Sequence, residues 1–251
     1  KLNVVGLMNA QVAVKDGKFY MIEVNPRASR TIPFLSKCIG TSLAKLASKI
    51  ILGNTLKDLE FDSEIMPTNY AVKAPVFPFN KFRKVDPILG PEMKSTGEVM
   101  GQGDTFGEAF AKAVRGAGEN IPKEGNVFVS VKDTDKKHLP SLCEKLIDLG
   151  FKIVATKGTA KALEGTNIKV KTINKVLEGR PHIVDAILNK EINMIINTTE
   201  GRQATKDSAS IRRSALEHSV FFTTTISGGF AIVESLEKDE DNWTYKPLQN
   251  S

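Results

Sequence analysis

Val127-Phe128-Val129-Ser130-Val131 is the first of five short apolar runs between residues 127 and 230. The others are Phe151-Lys152-Ile153-Val154-Ala155, Ile168-Lys169-Val170-Lys171-Thr172-Ile173, Met194-Ile195-Ile196-Asn197 and Val220-Phe221-Phe222. Helical spacing fills the gaps. Leu139, Leu142, Leu146 and Leu149 form one stripe, stopped by Gly150. Val184, Ile187 and Leu188 form another, with Pro181 in its first turn. Asp207 or Ser208 can cap a helix bearing Ile211 and Ala215, and Gly228-Gly229 should loosen the last helix. Short apolar runs alternating with helices predict a parallel sheet with crossover helices. Such sheets bind ligands at the carboxyl ends of their strands. The runs end at Ser130 and Lys132, at Thr156-Lys157-Gly158-Thr159, at Asn174-Lys175, at Asn197-Thr198-Thr199 and at Thr223-Thr224-Thr225. Five strand ends converging with hydroxyls, amides and ammoniums are equipped to hold a phosphate, not to make a nucleophile.

The rest of the composition sets bounds. With 251 residues, 41% of them hydrophobic, the chain can bury a core and hold two domains. The net charge, 35 − 29 = +6, suits an anionic ligand. Lys and Arg are scattered and aromatics make up 7%, so the basic stripe with interleaved aromatics that a nucleic-acid binder needs is missing. No apolar run approaches membrane-spanning length and no signal peptide is visible. Cys38 and Cys143 sit in apolar helical contexts and read as core thiols of a reducing compartment, which points to the cytoplasm. The chain opens without Met and enters a strand almost at once, as a fragment of a longer protein would.

Leu7 to Asn25 reads as a hairpin around Asp16-Gly17. A two-residue turn would mix Val12 and Val14 with Glu23. A three-residue loop ending in a left-handed Gly17 puts Val12, Val14, Tyr20, Ile22 and Val24 on one apolar face, and this loop is expected. Gln11, Met21, Glu23 and Asn25 then share the other face, with Gln11 diagonally beside Glu23. Oxygen-bearing side chains followed by Arg27 and Arg30 suit Mg²⁺ plus phosphate, and a solvated strand face is the alternative. Leu43, Leu46, Ala47 and Ile50 predict a helix capped by Thr41 or Ser42, and a strand is expected at 70–76. Phe106 to Val114 reads as the last helix of the front domain. Gly116 to Gly125 marks the boundary, giving domains 1–117 and 118–251. Glu237 to Asp241 reads as an acidic tail.

Several of these stretches carry a resemblance. Glu23-Val24-Asn25-Pro26-Arg27-Ala28-Ser29-Arg30-Thr31-Ile32-Pro33-Phe34, the run Asp86 to Gly101, Gly179-Arg180-Pro181-His182 and Ile211 to Leu216 resemble the large subunit of carbamoyl-phosphate synthetases. Nearly the whole chain is covered. The resemblance implies the end of the second, α+β ATP-grasp domain, followed by a five-stranded α/β domain of the methylglyoxal-synthase-like, Rossmann-like type that serves as the allosteric domain. It implies that Gln11, Glu23 and Asn25 hold Mg²⁺ or Mn²⁺ bridging ATP phosphates, and that Arg27 contacts those phosphates. That half phosphorylates carbamate, and the intact enzyme makes carbamoyl phosphate from bicarbonate, glutamine-derived ammonia and ATP for arginine and pyrimidine synthesis. The lysines and nucleotide-clamping strands of the ATP-grasp domain would precede Lys1, so this piece alone should not turn over.

In the same way, the resemblance assigns nucleotide monophosphate effectors to Ser130, Lys136, Thr156, Thr159, Lys175, Asn197 and Thr199. An ornithine-type effector falls to Glu92 and Thr224, although Thr223 stands where some members have an acidic residue. A glutaminase small subunit is the partner the family implies, and a homo-oligomer stays open. Two rivals remain. One is a methylglyoxal synthase acting on a triose phosphate, for which His182 and Asp185 are the nearby candidates for acid–base work. The other is a non-catalytic interaction module.

Overall fold

The structure, a computed structural model, describes residues 2–81, 86–90, 92–237, 243 and 245. Residues 238–241 of the expected acidic tail lie outside the described residues. The chain folds as two compact units, 1–70 with 244–251 and 71–243. The expected boundary at 117/118 falls inside the second unit.

In the first unit, β1 (Asn9–Lys15) and β2 (Lys18–Asn25) pair antiparallel, and α1 (Thr31–Cys38) packs on α2 (Leu43–Ile51). Of the two candidate caps of α2, Ser42 does the work, accepting from the Lys45 N–H at 3.3 Å. The hairpin corrects the loop expectation. Lys15 opposes Lys18, and Asp16 (φ 51°) and Gly17 (φ 72°) are both left-handed, so the turn has two residues. A β-bulge between Gln11 and Val12 then shifts the register. The consequence is a different apolar face: Val12 opposes Met21 and Val14 opposes Phe19, whereas Tyr20 opposes Ala13. Gln11 lies directly opposite Glu23 instead of diagonal to it. Val14, Phe19 and Met21 are exposed, so this face does not form a core among the described residues.

In the second unit, β3 (Tyr70–Val76) pairs with β4 (Gly97–Gly103), and α3 (Phe106–Gly116) packs on β4. Thr105 caps α3 by accepting from the Glu108 N–H at 3.3 Å. The chain then enters a five-stranded sheet through β5 (Gly125–Ser130). It continues through α4 (Leu139–Asp148), β6 (Phe151–Thr156), α5 (Lys157–Lys161), β7 (Val170–Ile173) and α6 (Ile183–Leu188). It closes with β8 (Met194–Asn197), α7 (Gly201–Asp207), α8 (Ala209–Glu217), β9 (Phe221–Thr223) and α9 (Ile226–Leu236). All four neighbouring pairs are parallel and the strand order is β7-β6-β5-β8-β9. The chain starts at the centre, builds outward on one side and returns to build the other.

Alternation along the strands explains the layers. Val127, Val129, Ile153, Met194 and Ile196 meet Leu142, Cys143 and Leu146 of α4 and Ile232 and Val233 of α9. Phe128, Val154 and Ile195 point the other way, toward Ile183 and Ile187 of α6 and Ile211 and Ala215 of α8. Burying one such leucine or isoleucine side chain contributes about 1.5–3 kcal/mol. α9 also packs on α3, which ties residues 106–116 into this unit.

Three local expectations change. Pro181 precedes α6 instead of sitting in its first turn, and His182 is the cap, its Nδ1 accepting from the Asp185 N–H at 3.3 Å. Neither Asp207 nor Ser208 caps α8 with its side chain, because α7 runs directly into α8 through Ser208. Gly228 and Gly229 lie inside a continuous α9. They admit its neighbours: a Cβ at Gly229 would stand 3.2 Å from Leu142 Cδ2, and one at Gly228 would overlap Thr223 Oγ1.

Candidate functional site

The carboxyl ends of β5, β6 and β8, with the turn after β7, open into one cavity of about 540 Å³. Ser130, Thr156, Lys175, Asn197 and Thr199 all line it, together with Lys132 and Thr198. These groups meet because the sheet is parallel: every strand delivers its last residue to the same edge. Ser130 Oγ and Thr156 Oγ1 lie 3.5 Å apart across neighbouring strands. The Lys132 N–H donates to Thr198 Oγ1 at 3.0 Å and the Thr198 N–H to the Ser130 carbonyl at 3.0 Å, which fixes the two central strand ends against each other. Asn197 is 3% exposed, and its Nδ2 has no hydrogen-bond partner. A buried donor left unpaired costs about 1–3 kcal/mol, so a ligand acceptor would be welcome there.

Thr159 and Lys136 stand behind this lining. Thr159 is buried, accepts from the Val131 N–H at 3.3 Å and from the Thr156 hydroxyl at 3.3 Å, and so holds the cavity's residues in place. Lys136 donates to Asp133 Oδ1 at 2.7 Å, and Asp133 is on the cavity rim. That hydrogen bond, the Lys136 charge and the Lys175 charge hold the Asp133 carboxyl below its ordinary range against a smaller opposing effect of burial. Asp133 on the rim thus stands between two cationic side chains.

The fifth strand end does not join. Among the described residues that line the cavity, none comes from β9 or the turn after it. Thr225 caps α9, accepting from the Gly228 N–H at 3.0 Å, and Thr223 Oγ1 accepts from the Thr225 N–H at 3.4 Å. Thr224 and Glu92 are exposed and are absent from the cavity. Four ends converge, not five, and the hydroxyls after β9 serve the next helix instead.

One wall escaped sequence reading. Glu200, Ala204, Asp207, Ser208 and Ile211 close the cavity from α7, α8 and the turn before them. Lys132 and Thr198 did carry a signal, as strand-end residues. The helical wall has none, since nothing local says which crossover folds over the strand ends. His182 and Asp185 line a separate cavity of about 240 Å³. There the Asp185 carboxylate accepts from the His182 N–H at 2.9 Å and lies 3.5 Å from Arg180 Nε.

On the first unit, Gln11 opposes Glu23 and Asn9 opposes Asn25, so Gln11, Glu23 and Asn25 share a face. Asn25 Nδ2 donates to Glu23 Oε1 at 2.9 Å. That contact occupies the Asn25 amide nitrogen and places the two side chains beside each other. One carboxylate plus amide oxygens is a donor set that fits Mg²⁺ sharing phosphate oxygens. Arg27 is exposed, its guanidinium bonded to the Ala28 carbonyl at 3.3 Å.

Comparison with known proteins bears on the family and the fold. Residues 138–224 match the MGS-like domain, and residues 1–59 match the carbamoyl-phosphate synthase L chain, ATP binding domain. The carbamoyl phosphate synthase large chain of Pseudomonas putida is 61% identical over 237 residues, covering 94% of this chain and 22% of that relative. The chain belongs to the carbamoyl-phosphate synthase large-chain family. Large chains from Halomonas eurihalina (55% over 240 residues, 94% of this chain) and Vibrio cholerae (52% over 239 residues, 95%) are similar over the same extent. The chain spans 22% of the length of each of these two relatives as well. The five-stranded parallel sheet is the MGS-like α/β fold. No helix among the described residues is long and apolar enough to cross a membrane.

Proposed function

We propose that this chain is the regulatory end of a carbamoyl-phosphate-forming ligase, and that the strand-end cavity holds the phosphate and sugar of a nucleotide monophosphate. The observation that carries the reading is the cavity itself: about 540 Å³ at four converging strand ends, with hydroxyls, Lys175 and an unpartnered Asn197 amide. Residues 118–251 form the sensor in this reading and residues 1–117 the end of an ATP-grasp domain. Gln11, Glu23 and Asn25 would hold Mg²⁺ or Mn²⁺, and Arg27 would contact the ATP phosphates. The metal neutralises charge on phosphate oxygens when bound. This chain's own part is to present three oxygen donors on one strand face. The whole enzyme takes ammonia from a glutaminase small subunit in the cytoplasm, and Glu92 and Thr224 contact an ornithine-type effector.

A triose-phosphate lyase needs a carboxylate base at its phosphate site. The candidates that the sequence offered, His182 and Asp185, are engaged in capping α6 beside the other cavity. The carboxylates at the strand-end cavity are Asp133, Glu178, Glu200 and Asp207, and Asp133 is paired with Lys136. The test is calorimetric titration of the chain with uridine and inosine monophosphates. Lys175→Ala removes a charge-assisted bond worth roughly 1.5–3 kcal/mol, which lowers affinity roughly 10- to 150-fold. Thr156→Ala should weaken binding as well. Unchanged affinity in both variants, or no uptake by the parent chain, overturns the assignment.

A further inference from the structure

Among the described residues, Arg212 is the largest side chain that is completely buried, and it is a charged one. Its position is unusual in a second way. It sits on α8 but grips a loop 126 residues earlier in the chain. Nε donates to Asp86 Oδ1 at 2.9 Å and Nη2 to Asp86 Oδ2 at 2.7 Å, a two-pronged fork. Nη2 also donates to the Thr205 carbonyl on α7 at 2.8 Å. Thr205 Oγ1 in turn lies 3.5 Å from Thr199 Oγ1, which lines the cavity. The neighbours of this chain of contacts, Ala204, Asp207, Ser208 and Ile211, are the helical wall of the same cavity.

The far end is also held. Asp86 Oδ1 accepts from the Ile88 N–H at 3.2 Å, and Lys94 Nζ donates to the Ile88 carbonyl at 2.9 Å. The 3-10 turn Phe79–Lys81 packs on α8. By contrast, α7 buries no residue completely, and neither α7 nor α8 has a side-chain cap. Packing and capping therefore leave the α7 wall weakly fixed, and the fork supplies what they do not. An ordinary structural ion pair would explain a buried Arg212 with one carboxylate. Here the same nitrogen also fastens the Thr205 carbonyl of the cavity wall, so the pair reaches that wall directly.

We infer that Asp86 and Arg212 are positioning residues for the nucleotide cavity: the segment of Asp86 and Ile88, through this fork, sets where the α7 wall stands and so how tightly the cavity closes on its ligand. The inference rests on the nucleotide reading of the cavity. It also gives the cavity a mechanical connection to residues outside the five-stranded sheet. A ligand that closes the wall favours the forked state, and whatever pulls that segment away weakens the ligand, since coupling between sites is reciprocal.

The test uses Asp86→Asn, which keeps shape and removes the charge. Arg212→Lys, which keeps the charge and loses the fork, serves as the second variant. Hydrogen exchange of the 201–208 amides is measured without ligand, and uridine monophosphate affinity by calorimetry. Expected are at least tenfold faster exchange in 201–208, unchanged exchange in β5, β6 and β8, and about tenfold weaker binding in both variants. Exchange that rises equally in the strands shows a merely structural pair and overturns the inference. So does unchanged exchange at 201–208, or full affinity in both variants. If the parent chain binds no uridine monophosphate, the nucleotide reading falls and takes the ligand role with it. Full parent affinity with unaffected variants sinks the fork alone.

Discussion

Gly107→Ala should destabilise the second unit, although helix propensity alone says the opposite. Gly107 is the second residue of α3, and alanine favours a helix by up to about 1 kcal/mol over glycine. A Cβ there, however, would overlap the Glu234 carbonyl oxygen of α9 and stand 2.7 Å from its carbon and 3.2 Å from the Ser235 nitrogen. These are backbone atoms, so no side chain can swing aside and the two helices must part. Overpacking of this kind costs typically about 1–3 kcal/mol. With the propensity gain small in a first turn, a net loss of about 2 kcal/mol is expected. For a unit of this size that lowers Tm by about 4–8 °C. Differential scanning calorimetry reads it directly. Gly158→Ala is the control: it lies in α5, has open space around its Cβ and no left-handed φ, so it should raise stability by up to about 1 kcal/mol. A neutral or stabilising Gly107→Ala would mean that α3 does not pack on α9, and the assignment of residues 106–116 to this unit would fail.

Three further outcomes follow from single contacts. Burial raises the Asp86 carboxyl, but the Arg212 hydrogen bonds and charge, the Ile88 N–H and the Arg213 charge together outweigh it and hold it below its ordinary range. Its contribution is therefore present above the ordinary carboxylate range and lost as pH falls through the lowered folded value. Asp86→Asn should cost about 1–3 kcal/mol at pH 7 in urea unfolding, and the gap to the parent should close on acidification; a gap independent of pH refutes this. Thr198→Val strips the acceptor from the Lys132 N–H at a buried position, so about 1–3 kcal/mol should be lost, and a neutral result would show that another acceptor takes over. Burial, followed by the Glu144 charge, pushes the Cys143 thiol up to about 12, and burial raises Cys38 less. At pH 8 a maleimide should label Cys38 first and reach Cys143 only after denaturation; early labelling of Cys143 contradicts a closed core.

What the sequence disclosed divides by distance along the chain. The five strands and the four helices foreseen in the back half were legible because each is written in a window of ten residues: Val127 and Val129 face one layer while Phe128 faces the other. The phosphate-type lining was legible for the same reason, since strand-end chemistry repeats locally and a parallel sheet gathers it on one edge. The order of strands is not local, and that is why Thr223 to Thr225 read as part of the site although the turn after β9 caps its own helix. The hairpin failed differently. Two loops competed, and the deciding feature, a bulge after Gln11, has no residue signature. It nevertheless returned Gln11 to Glu23, so the donor face survived a wrong turn. Asp86 and Arg212 show the limit of the method. Arg212 and Arg213 on one helix cannot both face the core, so one is expected to reach toward the anion site or an interface. Nothing local names Asp86 as its partner, and only the fold brings the two together across 126 residues. A phosphate cradle can be spelled by short repeats, but what adjusts it must come from elsewhere in the chain. Regulation of such a site is therefore the part that sequence reading is least able to find and that side-chain geometry is best able to supply.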